Sequence, residues 1–229
     1  MIVVDSDFSA LEGTNCYCSE ESAAQIRQAI SGLPLCAVHL IGTGDYHYIS
    51  LFWLERINEP FTLVLFDNHP DDQPTAFSPD TLSCGSWVAE ARKLPFCKST
   101  VWISSSPDCT GVRRTFAPLI PPPAAPAVPP FTWSRATTGS WTPVQSGEAP
   151  AIYLSIDLDV LSTEYARTDW DQGSMTLEEL VTEIEEIKKS TRILGVDICG
   201  GLTSQKGATD EDLAINTRTT DALISLFSR

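Results

Sequence analysis

Apolar residues in this chain gather into short continuous runs rather than alternating strictly with polar ones. Ile2 to Val4, Cys36 to Gly42, Phe61 to Phe66, Thr100 to Ser105, Ala151 to Asp159 and Arg192 to Cys199 each read as a strand. Runs of this kind suit strands covered on both faces, the situation in a parallel sheet. Between them lie segments with helical spacing. A helix is expected from Ser19 to about Ser31, opened by Glu20 and Glu21 and stopped before Gly32 and Pro34. Others are expected over His47 to Ile57, from about Cys84, from about Thr176 (with Leu177, Leu180, Ile184 and Ile187 on one face), and from Asp210 to Phe227. Strands alternating with helices predict an α/β fold, a mainly parallel sheet with helices on both faces. Residues 1–229 read as one domain. The proline-rich stretch at about 117–130 reads as a surface crossover, because prolines deny it helix or central strand.

Three of the runs end in a sudden change to polar residues. Phe61 to Phe66 leads into Asp67, His69 and Asp71, spaced by two, so an extended backbone would point all three side chains the same way. Ala151 to Asp159 ends in Asp157 and Asp159, again two apart, and two carboxylates on one side of a strand end repel unless a cation sits there. Cys36 to Gly42 leads through Gly42 and Gly44 to His47, one more nitrogen donor. The C-terminal ends of parallel strands are where α/β proteins bind ligands. Four carboxylates and two imidazoles are hard and borderline donors, which favour Mn(II), with Fe(II), Co(II) and Zn(II) as competitors. Six ligands are many for one ion, and four negative charges balance two divalent ions. His39, inside an apolar strand, reads as a hydrogen-bonded core histidine. Cys16 and Cys18 lack the second pair that a zinc site requires.

These segments resemble the signature motifs of the ureohydrolase (arginase and agmatinase) family. G-G-D-H-S stands here as Gly42-Thr43-Gly44-Asp45-Tyr46-His47, D-A-H-x-D as Asp67-Asn68-His69-Pro70-Asp71, and S-x-D-x-D as Ser155-Ile156-Asp157-Leu158-Asp159. The resemblance implies a three-layer αβα sandwich. It also implies a dinuclear metal-dependent hydrolase of linear, non-peptide C–N bonds, using a metal-bridging hydroxide on a guanidino, amidine or related substrate. One ion would take His47 and Asp71, the other His69 and Asp159, with Asp67 and Asp157 bridging. Asp71 would accept a hydrogen bond from the hydroxide and so count as catalytic. The alternatives are a deacetylase-like metallohydrolase and a catalytically inactive metal-binding or regulatory protein of the same fold.

The chain departs from the family pattern in two places. The family's proton-shuttling His-Gly pair falls on Cys84-Gly85. A cysteine at a helix N-terminus can have a lowered pKa and serve as nucleophile or acid/base group, so Cys84 is a second catalytic candidate; the plainer reading is a small half-buried thiol. The glutamate that contacts the guanidinium falls on Gly200, for which Asp197 on the same strand is a candidate substitute.

Composition narrows the rest. At 229 residues, 42% hydrophobic and 20% charged, the chain can bury a core. A net charge of −15 argues against nucleic-acid and anionic-membrane partners and suits a cationic small molecule. The N-terminus lacks the basic start and apolar core of a signal peptide, and seven scattered cysteines suit a reducing compartment, so a cytoplasmic protein is expected. Trp133 and Trp141 are candidates for a pocket mouth, and the family resemblance allows a homo-oligomer.

Overall fold

The computed structural model describes residues 1–74, 81–104, 113–116, 134–135, 141–142 and 149–228. The proline-rich stretch and Trp133 lie outside them, and the side chain of Trp141 is likewise not described. The strands are β1 (Ile2–Asp5), β2 (Tyr17–Cys18), β3 (Ala37–Leu40), β4 (Phe61–Phe66), β5 (Leu82–Ser83), β6 (Cys97–Ile103), β7 (Arg113–Phe116), β8 (Ser134–Arg135), β9 (Trp141–Thr142), β10 (Ala151–Asp157) and β11 (Arg192–Cys199). The helices are α1 (Glu20–Ile30), α2 (Ile49–Leu54), α3 (Trp87–Ala91), α4 (Leu177–Ser190) and α5 (Asp210–Phe227).

Seven strands form the central sheet in the order β1-β3-β11-β10-β4-β6-β7. The first six run parallel, and β7 pairs antiparallel with β6 at the edge. All six residues of β4 and all seven of β10 are buried, as expected for strands covered on both faces. Alternation along these strands divides the core. Phe61, Leu63, Leu65 and Tyr153 pack with α1, α2 and α3, while Val64, Phe66, Ile152, Leu154 and Ile156 pack with α4 and α5. The result is a three-layer α/β sandwich.

The helices are held by their ends as well as their faces. α4 buries Leu180, Ile184 and Ile187, each contributing roughly 1.5–3 kcal/mol. Its start is a capping box of Thr176 and Glu179, and α5 opens with another, Thr209 and Asp212. Ser19 caps α1 by accepting from the Ser22 N–H. Among the described residues no helix is long and apolar enough to cross a membrane.

Three expectations need correction. The helix expected over His47 to Ile57 is shorter, α2 covering Ile49–Leu54, and a 3-10 turn over Gly44–Tyr46 comes before it. The helix expected from Cys84 begins at Trp87 and has five residues. The strand expected at Thr100 starts earlier, at Cys97, where Phe61 pairs with it. The antiparallel β2–β5 pair gave no periodic signal, because two residues per strand are too few.

Candidate metal centre

The alternation that divides the core also builds the site. Ser155 and Asp157 lie on the same face of β10 as Tyr153. Ser155 is in register with Asp197 of β11, and Asp157 with Cys199. Asp67 follows β4 directly, beside β10. His47 comes from the turn after β3. Four neighbouring strand ends therefore deliver side chains to one spot at the C-terminal edge of the sheet.

The two acidic motifs converge by turns, not by the extended backbone expected from their two-residue spacing. Asp67 Oδ1 accepts from the His69 N–H at 2.6 Å, and Asp71 adopts a left-handed φ of 48°. Asp157 Oδ1 accepts from the Asp159 N–H at 2.8 Å at the start of a 3-10 turn, and Asp159 Oδ1 from the Asn68 N–H at 2.9 Å. Each carboxylate keeps its second oxygen for the site, a better-defined arrangement than strand alternation would have given.

The six expected donors come together. His47 Nδ1 lies 3.1 Å from Asp67 Oδ2, 3.1 Å from Asp71 Oδ2 and 3.5 Å from Asp157 Oδ2. His69 Nδ1 lies 2.8 Å from Asp159 Oδ2 and 3.7 Å from Asp67 Oδ1. Among the described residues, three donor groups have the spacing of a cation site: His47 with Asp67 and Asp71, Asp67 with His69 and Asp159, and His47 with Asp157 and Cys199. The first two share Asp67. Asp157 belongs on the His47 side. All six residues are buried except His69, whose side chain is 35% exposed.

The Ser155 hydroxyl sets which way His47 faces. Ser155 Oγ donates to Asp197 Oδ1 at 2.6 Å, so its one proton is committed and it can only accept from His47 Nε2, 2.8 Å away. The Nε2–H thus points at Ser155, and the Nδ1 lone pair points at three carboxylates. Buried His47 Nδ1 and Asp67 Oδ2 have no hydrogen-bond partner. A buried lone pair facing buried acceptors is unfavourable; a proton on Nδ1 relieves it in the metal-free protein, and a divalent cation would relieve it in the same place. The residues present fit a metal.

The charges agree with this. Burial raises the Asp157 carboxyl to about 6, helped by the neighbouring Asp159 charge. Burial likewise raises Asp67 and Asp71. Hydrogen bonds to Asp159 and Asp67 lift His69 to about 11. Burial opposes a charge on His47, but Cys199, Asp67 and Asp71 outweigh it and raise its pKa well above the usual histidine range. Without an ion, protons on the imidazoles are the site's nearest positive charges.

A cavity of about 240 Å³ opens over these atoms, with Gly44, Pro70, Gln73, Cys84, Gly85 and Trp170 completing its wall. Trp170 stands edge-on to His69, with ring centres 6.1 Å apart. Its indole N–H donates to Asp45 Oδ1 at 3.1 Å. The buried Asp45 is paired in turn with Lys206 and accepts from the Cys16 thiol. Asp45, Trp170 and Lys206 were not singled out from sequence; Asp45 lies inside the first motif but makes no contact there that spacing could reveal.

Both departures from the family pattern have structural explanations. Cys84 lines the cavity, and burial, then the charge of Asp71, pushes its thiol up rather than down, in keeping with the plainer reading of a half-buried thiol. It also precedes a helix of only five residues. Gly200 could not carry a glutamate on this backbone. Its φ is +98°, and a Cβ there would fall 2.1 Å from Asp157 Oδ1 and 2.8 Å from Leu158 N. Asp197 does not replace that acid, since it is fully buried behind His47, bonded to Ser155. Cys199 was missed: its nearness to Asp157 follows from strand register, which sequence spacing does not show.

No protein-family model matches the chain. An uncharacterized protein from Thermotoga maritima is 31% identical over 163 residues, a match spanning 71% of this chain and 57% of that relative. This chain thus corresponds to little more than half of the relative's length. The structure of a hypothetical agmatinase from Burkholderia thailandensis superposes with a TM-score of 0.56 and 18% identity, covering 93% of this chain and 67% of that one. Arginase from Bacillus caldovelox superposes with a TM-score of 0.57 and 13% identity, covering 95% and 79%. The chain therefore has the ureohydrolase-like fold, the architecture of arginase and agmatinase.

Proposed function

We propose that this chain is a divalent-metal-dependent hydrolase of non-peptide C–N bonds, acting on a small guanidino, amidine or related substrate. The observation that carries the reading is the convergence of His47 Nδ1 with the Asp67, Asp71 and Asp157 carboxylates, buried acceptors 3.1–3.5 Å apart at the focus of four strand ends. Two ions are the better-supported number, because two donor groups share Asp67 as a common member. His47, Asp71, Asp67 and Asp157 would hold one, and His69 and Asp159, with Asp67, the other. When bound, such ions supply Lewis acidity and activate water near neutral pH.

The chain's own groups have definable tasks. Asp71 lines the cavity with one oxygen fixed by the Trp87 N–H at 2.7 Å. Burial raises its carboxyl against the pull of His47 and Trp87, a direction that favours its accepting a proton from water. Cys84, protonated at the wall, is a hydrogen-bond donor rather than a nucleophile. Trp170, on the cavity wall and edge-on to His69, would shield that side of the site from water. With no acid at Gly200, a guanidinium lacks the family clamp, so arginine is not favoured over other members of the substrate class.

The test is a panel of guanidines, amidines, formimino compounds and acylated amines, assayed for ammonia, urea or amine release with Mn(II)-loaded protein. Turnover that chelator abolishes and Mn(II) restores is expected. Absence of turnover across the panel, or turnover indifferent to chelator, overturns the proposal.

A further inference from the structure

The six oxygen and nitrogen donors omit one group the fold puts beside them. Cys199 is the last residue of β11, paired with Asp157 across the sheet, so both side chains leave on the same face. Its thiol is buried and lies 3.1 Å from Asp157 Oδ2. The Cys199 sulfur, a His47 ring nitrogen and an Asp157 carboxylate oxygen all lie within 4.8 Å of one another. His47 Nδ1, on a side chain 1% exposed, lies 3.5 Å from the same Asp157 Oδ2 and, when unprotonated, is a buried acceptor without a donor, an observation independent of the cysteine. The chain turns away immediately afterwards at Gly200, where a side chain would collide with Asp157.

We infer that Cys199 is a thiolate ligand of the metal position on the His47 side. The inference rests on the metallohydrolase reading and adds a donor that changes the preferred ion. Four carboxylates and two imidazoles alone suit Mn(II); a sulfur at the same position shifts preference towards the thiophilic ions Zn(II), Co(II) and Fe(II). Binding breaks the S–H bond and the hydrogen bond to Asp157, forms a sulfur–metal bond, and releases the proton to solvent. No electron is transferred. The hard ligands on the His69 side keep their own preference, so the two positions differ in softness.

Co(II) tests this, because thiolate coordination gives a sulfur-to-Co(II) charge-transfer band in the near ultraviolet that oxygen and nitrogen ligands do not. Metal-free protein is titrated with Co(II) while absorbance and bound metal are measured together. The band is expected in the wild type and in Cys84→Ser, the control for the other thiol at the cavity. It is expected to be absent in Cys199→Ser and Cys199→Ala, which still bind Co(II). The preference for Zn(II) over Mn(II), measured by competition, is expected to fall by about tenfold or more in Cys199→Ser. Co(II) bound by the wild type without the band, or a band that disappears with Cys84→Ser instead, overturns the thiolate assignment and leaves the metal site standing. No Co(II) bound at all overturns both. A wild-type spectrum without the band overturns the assignment even if a variant fails to fold, and the band's persistence in Cys84→Ser with its loss in either Cys199 variant upholds it.

Discussion

Replacing Asp157 by asparagine should affect the metal-free and metal-loaded protein in opposite directions. Asparagine keeps the shape and the oxygen that accepts from the Asp159 N–H, but removes a charge from the buried cluster. The Asp157 carboxyl is raised from 3.8 to about 6 by burial and by Asp159. A shift of roughly two units corresponds to about 3 kcal/mol lost by the metal-free fold once the group is ionised. Because the folded-state value lies above the unfolded one, the loss is absent below about pH 4, grows as the pH rises, and is complete above about pH 6. In chelator at pH 8 the variant should therefore melt higher than the wild type, by about 6–12 °C for a chain of this size. At pH 4 the gain should vanish. With metal at about 100 times its dissociation constant, the wild type gains about 2.7 kcal/mol per site and the variant, missing a ligand, gains less. Scanning calorimetry with and without chelator at both pH values measures all four states. A variant that melts lower than the wild type in chelator at pH 8, or an offset equal at pH 4 and pH 8, refutes the view that like-charge repulsion at an ion site dominates here.

Two further substitutions probe the surroundings. Ser155→Ala removes the acceptor that holds the His47 Nε2–H; metal affinity should fall about 10–100-fold with the circular dichroism spectrum unchanged, and an unchanged affinity in chelator competition would show that the serine does not orient His47. Gly200→Glu restores the acid found in arginases but places a Cβ against Asp157 at a left-handed φ; it should cost about 2 kcal/mol or more and confer no arginase activity, and a stable, arginine-hydrolysing variant would contradict the strand-end geometry.

The parts of this molecule legible in its sequence are those in which one segment declares itself. The runs of β4 and β10 announced strands buried on both sides, and the abrupt acids after them announced a site at their ends. The Leu180, Ile184 and Ile187 spacing gave α4 its buried face. The legible chemistry had partly the wrong local cause: Asp67, His69 and Asp71 converge through an aspartate-capped turn and a left-handed residue, and a spacing of two does not distinguish that from a strand. Contacts set by strand register stayed hidden. Cys199 beside Asp157, Asp197 behind Ser155, and Trp170 tied to Asp45 across 125 residues all depend on which strands and loops become neighbours. The raised pKa of Cys84 was unreadable for the same reason, since burial and the nearness of Asp71 decide it, not the following helix.

The most direct measurement of the central claim is the metal content of purified protein after loading and removal of loosely held ions, by elemental mass spectrometry, for the wild type and Asp67→Asn. The account predicts about two divalent ions per chain in the wild type and weaker retention at both positions in the variant, with fewer than two ions left, because Asp67 belongs to a donor group on the His47 side and to the one on the His69 side. A folded wild type that retains no ion, or an Asp67 variant that retains two, would contradict it.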